Sequence, residues 1–138
     1  MSRHVIVTGA AGFIGRRLCE ALRVRGSRVT AVLHRAPTAG PWDAVVMADL
    51  ARDEIPAFSF DGADVVFHFA GRAHAVAERA SDVALYRSVN VEGTRRVVAA
   101  ARAAGVRRVV FASSVKAMGE DGDTGAPESA YGVSKREA

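Results

Sequence analysis

The stretch Val5-Ile6-Val7-Thr8-Gly9-Ala10-Ala11-Gly12-Phe13-Ile14-Gly15 constrains the fold more than any other part of the chain. A β-branched run leads into three glycines spaced three apart, and an amphipathic segment follows at once. A strand, a glycine turn and a helix in that order form a dinucleotide-binding fingerprint. Gly9 permits a tight turn out of the strand, Gly12 lets a pyrophosphate approach the backbone, and Gly15 lets the helix pack closely on the strand. The N–H groups at the helix start and the positive end of its dipole then face the phosphates. The candidate cofactor contacts along this turn are Gly9, Ala11, Gly12, Phe13, Ile14 and Gly15.

With 138 residues the chain is long enough for one domain with a core and too short for two. Residues 1–138 are therefore read as a single nucleotide-binding domain. No apolar run is long enough to span a bilayer, and the segment before Gly9 is too short for a signal peptide. Cys19, the one cysteine, falls on the apolar side of the first helix and reads as a buried, inert thiol with no disulfide framework. These features point to the cytoplasm. The net charge of +4 raises the question of a nucleic-acid partner. The cations are nearly all arginines in scattered pairs (Arg16-Arg17, Arg95-Arg96, Arg107-Arg108), interleaved with carboxylates and without stacking aromatics. They read as solvated helix faces, which argues against nucleic acid and membrane as partners. A modest positive field still favours an anionic, phosphate-bearing ligand.

Hydrophobic periodicity predicts strands at His4–Thr8, Arg28–Leu33, Ala44–Ala48, Asp64–Phe69 and Val109–Ala112. It predicts a first helix over Phe13–Arg25, with Ile14, Leu18 and Leu22 as its buried stripe and Gly26 as its C′ residue. A long helix capped by Ser81 or Asp82 runs to about Ala104 and ends at Gly105. Asn90 and the Gly93-Thr94 pair interrupt an otherwise good helix former. Gly93 is expected to allow close packing on the sheet, and Asn90 to tie neighbouring backbone groups together. Alternating strands and helices imply a doubly wound parallel α/β sheet of five strands, ordered 3-2-1-4-5.

In such a sheet ligands bind beyond the carboxyl ends of the strands. His34 and Arg35 follow the second strand, where an NAD-specific site would carry a carboxylate for the ribose 2′-hydroxyl. No acid occurs between Arg28 and Pro41, and an arginine suits a 2′-phosphate, so NADP is preferred over NAD. Arg35 stacking on adenine or pointing to solvent is the competing reading. Asp49-Leu50 follows the third strand, where the carboxylate either accepts from the adenine amino group or closes a turn. After the fourth strand, Phe69, Ala70 and Gly71 leave space for ribose and pyrophosphate. His68 and His74 invite a metal, but no further ligand completes a set, and none is expected.

Ser113-Ser114 follows the fifth strand, and Tyr131-Gly132-Val133-Ser134-Lys135 comes next. Tyr131 and Lys135, four apart, share a helix face. A lysine ammonium beside a phenol favours the phenolate, the form through which an acid/base catalyst passes. Ser114 at a neighbouring strand end is placed to hold a substrate hydroxyl or carbonyl. The candidate catalytic set is Ser114, Tyr131 and Lys135.

These pieces resemble the extended short-chain dehydrogenase/reductases, in particular the NAD(P)-dependent nucleotide-sugar epimerase/dehydratase group. The resemblance rests on TGAAGFIG at Thr8–Gly15, Asp49-Leu50, HFAG at His68–Gly71, NVEGT at Asn90–Thr94, SSVKAMG at Ser113–Gly119 and YGVSK at Tyr131–Lys135. It implies a Rossmann-like domain in which Asn90, Tyr131 and Lys135 join the cofactor contacts. Tyr131 would be the acid/base, Lys135 would favour its phenolate and hold the nicotinamide ribose, and Ser114 would orient the reacting sugar hydroxyl. The implied chemistry is hydride transfer from a sugar carbon to the nicotinamide, giving a keto-sugar that is re-reduced, dehydrated or released.

Members of this group continue past the lysine helix into a substrate-binding region and pair as homodimers. The chain is thus expected to be an N-terminal part lacking the substrate domain, with a catalytic helix of only two turns that is poorly held at its free end. Met118 stands where the group commonly has tyrosine, Lys116 adds an unusual charge, and the span from Ser114 to Tyr131 is short. Three functional readings follow. The chain belongs to an enzyme acting on a nucleotide-sugar, it binds NAD(P) without turnover, or it belongs to an NADPH-dependent carbonyl reductase acting on a small carbonyl or hydroxyl substrate.

Overall fold

The strand β1 (His4–Thr8) lies at the centre, and its apolar side chains are buried on both faces of the sheet. The computed structural model describes residues 2–35, 39–73, 80–119 and 125–138. Around β1 stand β2 (Arg28–Leu33), β3 (Ala44–Met47), β4 (Val65–His68) and β5 (Arg108–Phe111), all parallel and ordered β3-β2-β1-β4-β5. The expected strand order and positions are met, β1 and β2 to the residue. Continuous apolar runs such as Val5-Ile6-Val7 belong to a sheet covered on both sides.

One face packs against α1 (Phe13–Val24), where Val5, Val7, Val29, Ala31 and Leu33 enclose Cys19. Burial pushes the Cys19 thiol up to about 11, so it stays protonated and unreactive. The other face carries Ile6, Val32 and Val66 against Val97, Ala100 and Ala101 of α3 (Gly93–Ala103). Both helices end in Schellman turns. The N–H of Ser27 bonds to the Leu22 carbonyl and that of Gly26 to Arg23, and Val106 and Gly105 repeat the pattern on Ala101 and Arg102.

Three details depart from the sequence reading. Ile14 is 63% exposed and only Gly15 and Cys19 of α1 are fully buried, with Leu18 and Leu22 partly so. Ile14 sits on the first turn, beyond the edge of the sheet that the rest of its stripe covers. The expected long helix runs without a break but changes type, from α2 (Ala80–Tyr86) through a π-turn (Arg87–Glu92) to α3, and Ser81 and Asp82 lie within its first turn rather than capping it. Gly93 meets the Leu50 turn after β3 rather than the sheet, since a Cβ there would lie 3.2 Å from the Leu50 carbonyl oxygen. No helix among the described residues is long and apolar enough to cross a membrane.

Candidate functional site

The turn after β1 is assembled from main chain. Gly9 has φ +68°, and a Cβ on it would lie 2.6 Å from the Ala70 nitrogen. On Gly15 a Cβ would lie 2.1 Å from the Gly9 carbonyl oxygen. Glycine is therefore required twice, once to cross the exit of β4 and once to seat α1 against the turn. The N–H of Gly12 closes the turn on Gly9 O at 3.0 Å. Gly12 is the N-cap of α1, with no side-chain cap and no acid in the first turn. The helix start thus keeps its N–H donors and dipole for an anion.

This turn forms one wall of a cavity of about 380 Å³, a volume suited to a small-molecule ligand. Of the expected contacts, Gly9, Ala11, Gly12, His34, Asp49, Leu50, Phe69, Ala70 and Gly71 line it. Phe13, Ile14, Gly15, Arg35, Asn90, Tyr131 and Lys135 do not. Val32, Leu33, Ala48, Ala51, Arg72 and Val89 line it as well and had no distinct motif to mark them. Asp49 also closes its own turn, its Oδ1 accepting from the Ala51 N–H at 3.0 Å. Arg35 is exposed. A larger concavity of about 620 Å³ lies among Arg3, Phe67 and Arg108, around the amino ends of the strands and away from the turn.

Behind the cavity a polar chain crosses the sheet. Thr8 Oγ1 accepts from the Ala70 N–H at 3.0 Å and lies 2.6 Å from His68 Nδ1, to which it donates once the far side of the ring is fixed. Thr94 Oγ1 donates to the Asn90 carbonyl at 2.6 Å and therefore accepts from His68 Nε2–H at 2.9 Å. The two threonines fix one neutral tautomer of the ring. Burial, with a smaller contribution from Lys135, pulls His68 down to about 4, which keeps it uncharged. His68 is fully buried, and its partners make it a structural histidine. Among the described residues no group of three or more His, Cys, Asp or Glu could hold a metal ion; His74 lies outside the described residues.

Asn90 connects this region to the catalytic candidates. Its Oδ1 accepts from the Arg72 N–H at 2.8 Å, and its Nδ2 donates to the Arg72 carbonyl at 3.3 Å and to Ser134 Oγ at 2.9 Å. Ser134 Oγ donates to the Tyr131 carbonyl at 2.7 Å. The expected backbone tie is present, and it reaches further, to α4 (Ala130–Glu137). The two-turn helix is better held than its length predicts. Ser129 caps it, a Cβ on Gly132 would lie 2.2 Å from the Lys116 carbonyl oxygen, and Arg87 pairs with Glu137 at 2.6 Å. Tertiary contacts replace the stability that a short helix lacks by itself.

On α4, the Tyr131 ring and the buried Tyr86 ring meet edge to face, 5.8 Å between centroids. Lys135 is 8% exposed, and burial pulls it below the usual lysine range. Ser114 caps the 3-10 turn Val115–Ala117, its Oγ accepting from the Lys116 N–H at 3.2 Å. Ser114 and Lys135 face one concavity of about 590 Å³, together with Met118 and Arg136. Tyr131 does not line it.

A doubly wound parallel sheet with a glycine-built anion cradle and a Tyr-x-x-x-Lys helix beside it defines a nucleotide-binding domain of the dehydrogenase type. The chain belongs to the NAD dependent epimerase/dehydratase family, which it matches over residues 5–138. It is 32% identical over its whole length to a UDP-glucose 4-epimerase of Vibrio cholerae, covering 45% of that protein. It is 36% identical over 96% of its length to a uronate dehydrogenase of Pseudomonas putida, covering 51% of that one. Among solved structures, MoeE5 in complex with UDP-glucuronic acid and NAD superposes with a TM-score of 0.80 at 35% identity, over 97% of this chain and 46% of that one. The chain spans about half the length of the curated relatives it matches.

Proposed function

We propose that residues 1–138 form the cofactor-binding part of an NAD(P)-dependent oxidoreductase of the epimerase/dehydratase type whose substrate is a nucleotide-sugar. The observation that carries this reading is the backbone cradle at Gly9–Gly15, facing a cavity whose rear wall is tied through Asn90 to the helix of Tyr131 and Lys135. The residues fit a dinucleotide. Gly12 and the first turn of α1 would hold the pyrophosphate, and Asp49 and Leu50 the adenine. When bound, the nicotinamide supplies the hydride chemistry. Tyr131 would move the proton at the substrate oxygen, Lys135 would favour its phenolate, and Ser114 would orient the same oxygen.

The substrate class is supported by the UDP-sugar complexes of MoeE5 and the epimerase relative. The preference for NADP rests on the acid-free end of β2 with Arg35. A cytoplasmic enzyme pairing as a homodimer through α2, α3 and α4 completes the proposal, and Val83, Val98 and Val133 are exposed on those helices.

Equilibrium titration with NAD and NADP, then turnover with UDP- and GDP-sugars, tests the reading. Binding of the dinucleotide is expected, and Arg35→Asp is expected to weaken NADP about tenfold or more relative to NAD. Equal loss for both cofactors removes the NADP preference. Turnover abolished by Tyr131→Phe supports the catalytic assignment, whereas binding without turnover favours a binding-only chain. Net NADPH consumption with a simple carbonyl, rather than sugar exchange, favours the reductase that Arg35 also suits.

A further inference from the structure

Thr8, His68 and Phe111 occupy one row across the carboxyl edge of the sheet, because Thr8 pairs with His68 and His68 with Phe111. The His68 and Phe111 rings stack at 5.6 Å with 28° between planes. Lys135 Nζ stands 4.1 Å from the Phe111 centroid, within cation–π range. A buried ammonium ordinarily has a carboxylate beside it. Here the carboxylates of α2, of the π-turn and of α4 itself are engaged elsewhere: Asp82 with Arg72, Glu92 with Arg95, Glu137 with Arg87. The other charged or titratable groups on and beside the elements around α4 are Tyr86, Tyr131, neutral His68, the exposed Glu128 just before α4, and the cations Lys116, Arg87, Arg136 and, on β5, the exposed Arg108. Among the described residues none offers Nζ an ion pair.

We propose that Phe111 is the positioning residue for Lys135, its ring face holding the ammonium where a carboxylate would otherwise stand. Its functional meaning rests on the Tyr131–Lys135 reading given above. A ring face holds the charge with one N–H turned into its π cloud, so the other two donors stay available for hydroxyl groups of a ligand. The arrangement also requires an uncharged His68, since an imidazolium stacked on the same ring would repel the ammonium. The two threonines that fix the His68 tautomer therefore protect the lysine site as well.

Lys116 and Lys135 are the only lysines in the chain. Labelling with [ε-13C]lysine gives two resonances, with Lys135→Arg assigning them and Lys116 as the exposed reference. In the wild-type chain the Lys135 signal is expected upfield of Lys116 through the Phe111 ring current, and to titrate at lower pH. Pentafluorophenylalanine at position 111 keeps the ring's shape but inverts its quadrupole. It is expected to lower the Lys135 midpoint by about one further unit. Phe111→Leu is expected to remove the upfield shift as well, and Phe111→Tyr to keep both properties. If Phe111→Leu does not fold, the fluorinated ring decides. An unchanged midpoint with the fluorinated ring, or the absence of an upfield Lys135 signal, overturns the proposal. Titration with NAD and NADP in parallel separates the two readings: failure to bind either dinucleotide with the Lys135 behaviour intact overturns the function and leaves the Phe111 contact standing.

Discussion

At Gly9–Gly15 the walls of the cavity are main chain, and the missing side chains make the site. At α4 side chains carry most of the load: apart from one main-chain approach at Gly132, Ser129, Asn90, Ser134, Glu137 and Phe111 hold a short helix that lacks length of its own. A backbone site tolerates no added atom, because its neighbours are carbonyls and amides that cannot rotate away. A site held by side chains shares its stability among several contacts, and losing one shifts geometry before it destroys the fold.

The largest effect expected from this difference is at Gly15. In Gly15→Ala the new Cβ would lie 2.1 Å from Gly9 O and 2.8 Å from Gly9 C, so backbone must move. A loss on the order of 4 kcal/mol is expected, together with loss of measurable NAD binding. Chemical denaturation and a binding titration check both, and a variant near wild-type stability would break the comparison.

Next in size is acidification, which probes the side-chain part. His68 sits near 4 in the folded chain against an unfolded value of roughly 6.5. As pH falls from 6.5 to 4 the unfolded chain takes up a proton that the folded chain refuses. Stability is therefore full above about pH 6.5, falls by on the order of 3 kcal/mol towards pH 4, and stops falling on this account below it. His4, lowered by partial burial and by Arg28, adds a slope of the same sign. Denaturation curves across this range for wild type and His68→Gln isolate the His68 part, and equal slopes would show that His68 does not carry it.

The smallest effect is at Gly26, which has φ +76° and no neighbouring atom within 4 Å of the point where a Cβ would stand. Only the conformational cost remains, so Gly26→Ala should lose about 1 kcal/mol and leave NAD binding unchanged. Set beside Gly15→Ala in the same melts, it separates conformational need from steric need.

Much of this architecture is written locally. His4–Thr8 and Arg28–Leu33 are short β-branched runs bounded by turn residues, and both ends of each strand follow from the residues next to them. The glycine turn is legible for the same reason. Ile14 misleads because periodicity says which residues share a face and not where the sheet beneath that face ends. Arg72 and Val89 line the cavity, and Phe111 lies under Lys135, through contacts between distant segments. The firmness of α4 was equally hidden, since Asn90 and Ser134 meet 44 residues apart.

The π-turn at Arg87–Glu92 amounts to a change of phase. Successive α-helical residues advance by roughly 100°, and a π-turn fits one extra residue into a turn. The rod beyond it resumes about one residue's rotation late. Without that lag, a single azimuth would have to satisfy both Asn90, which reaches the β4 exit and α4, and the Val97, Ala100 and Ala101 row on the sheet. One surplus residue thus gives the helix two independent headings, with Thr94 Oγ1 bonded to the Asn90 carbonyl at the joint.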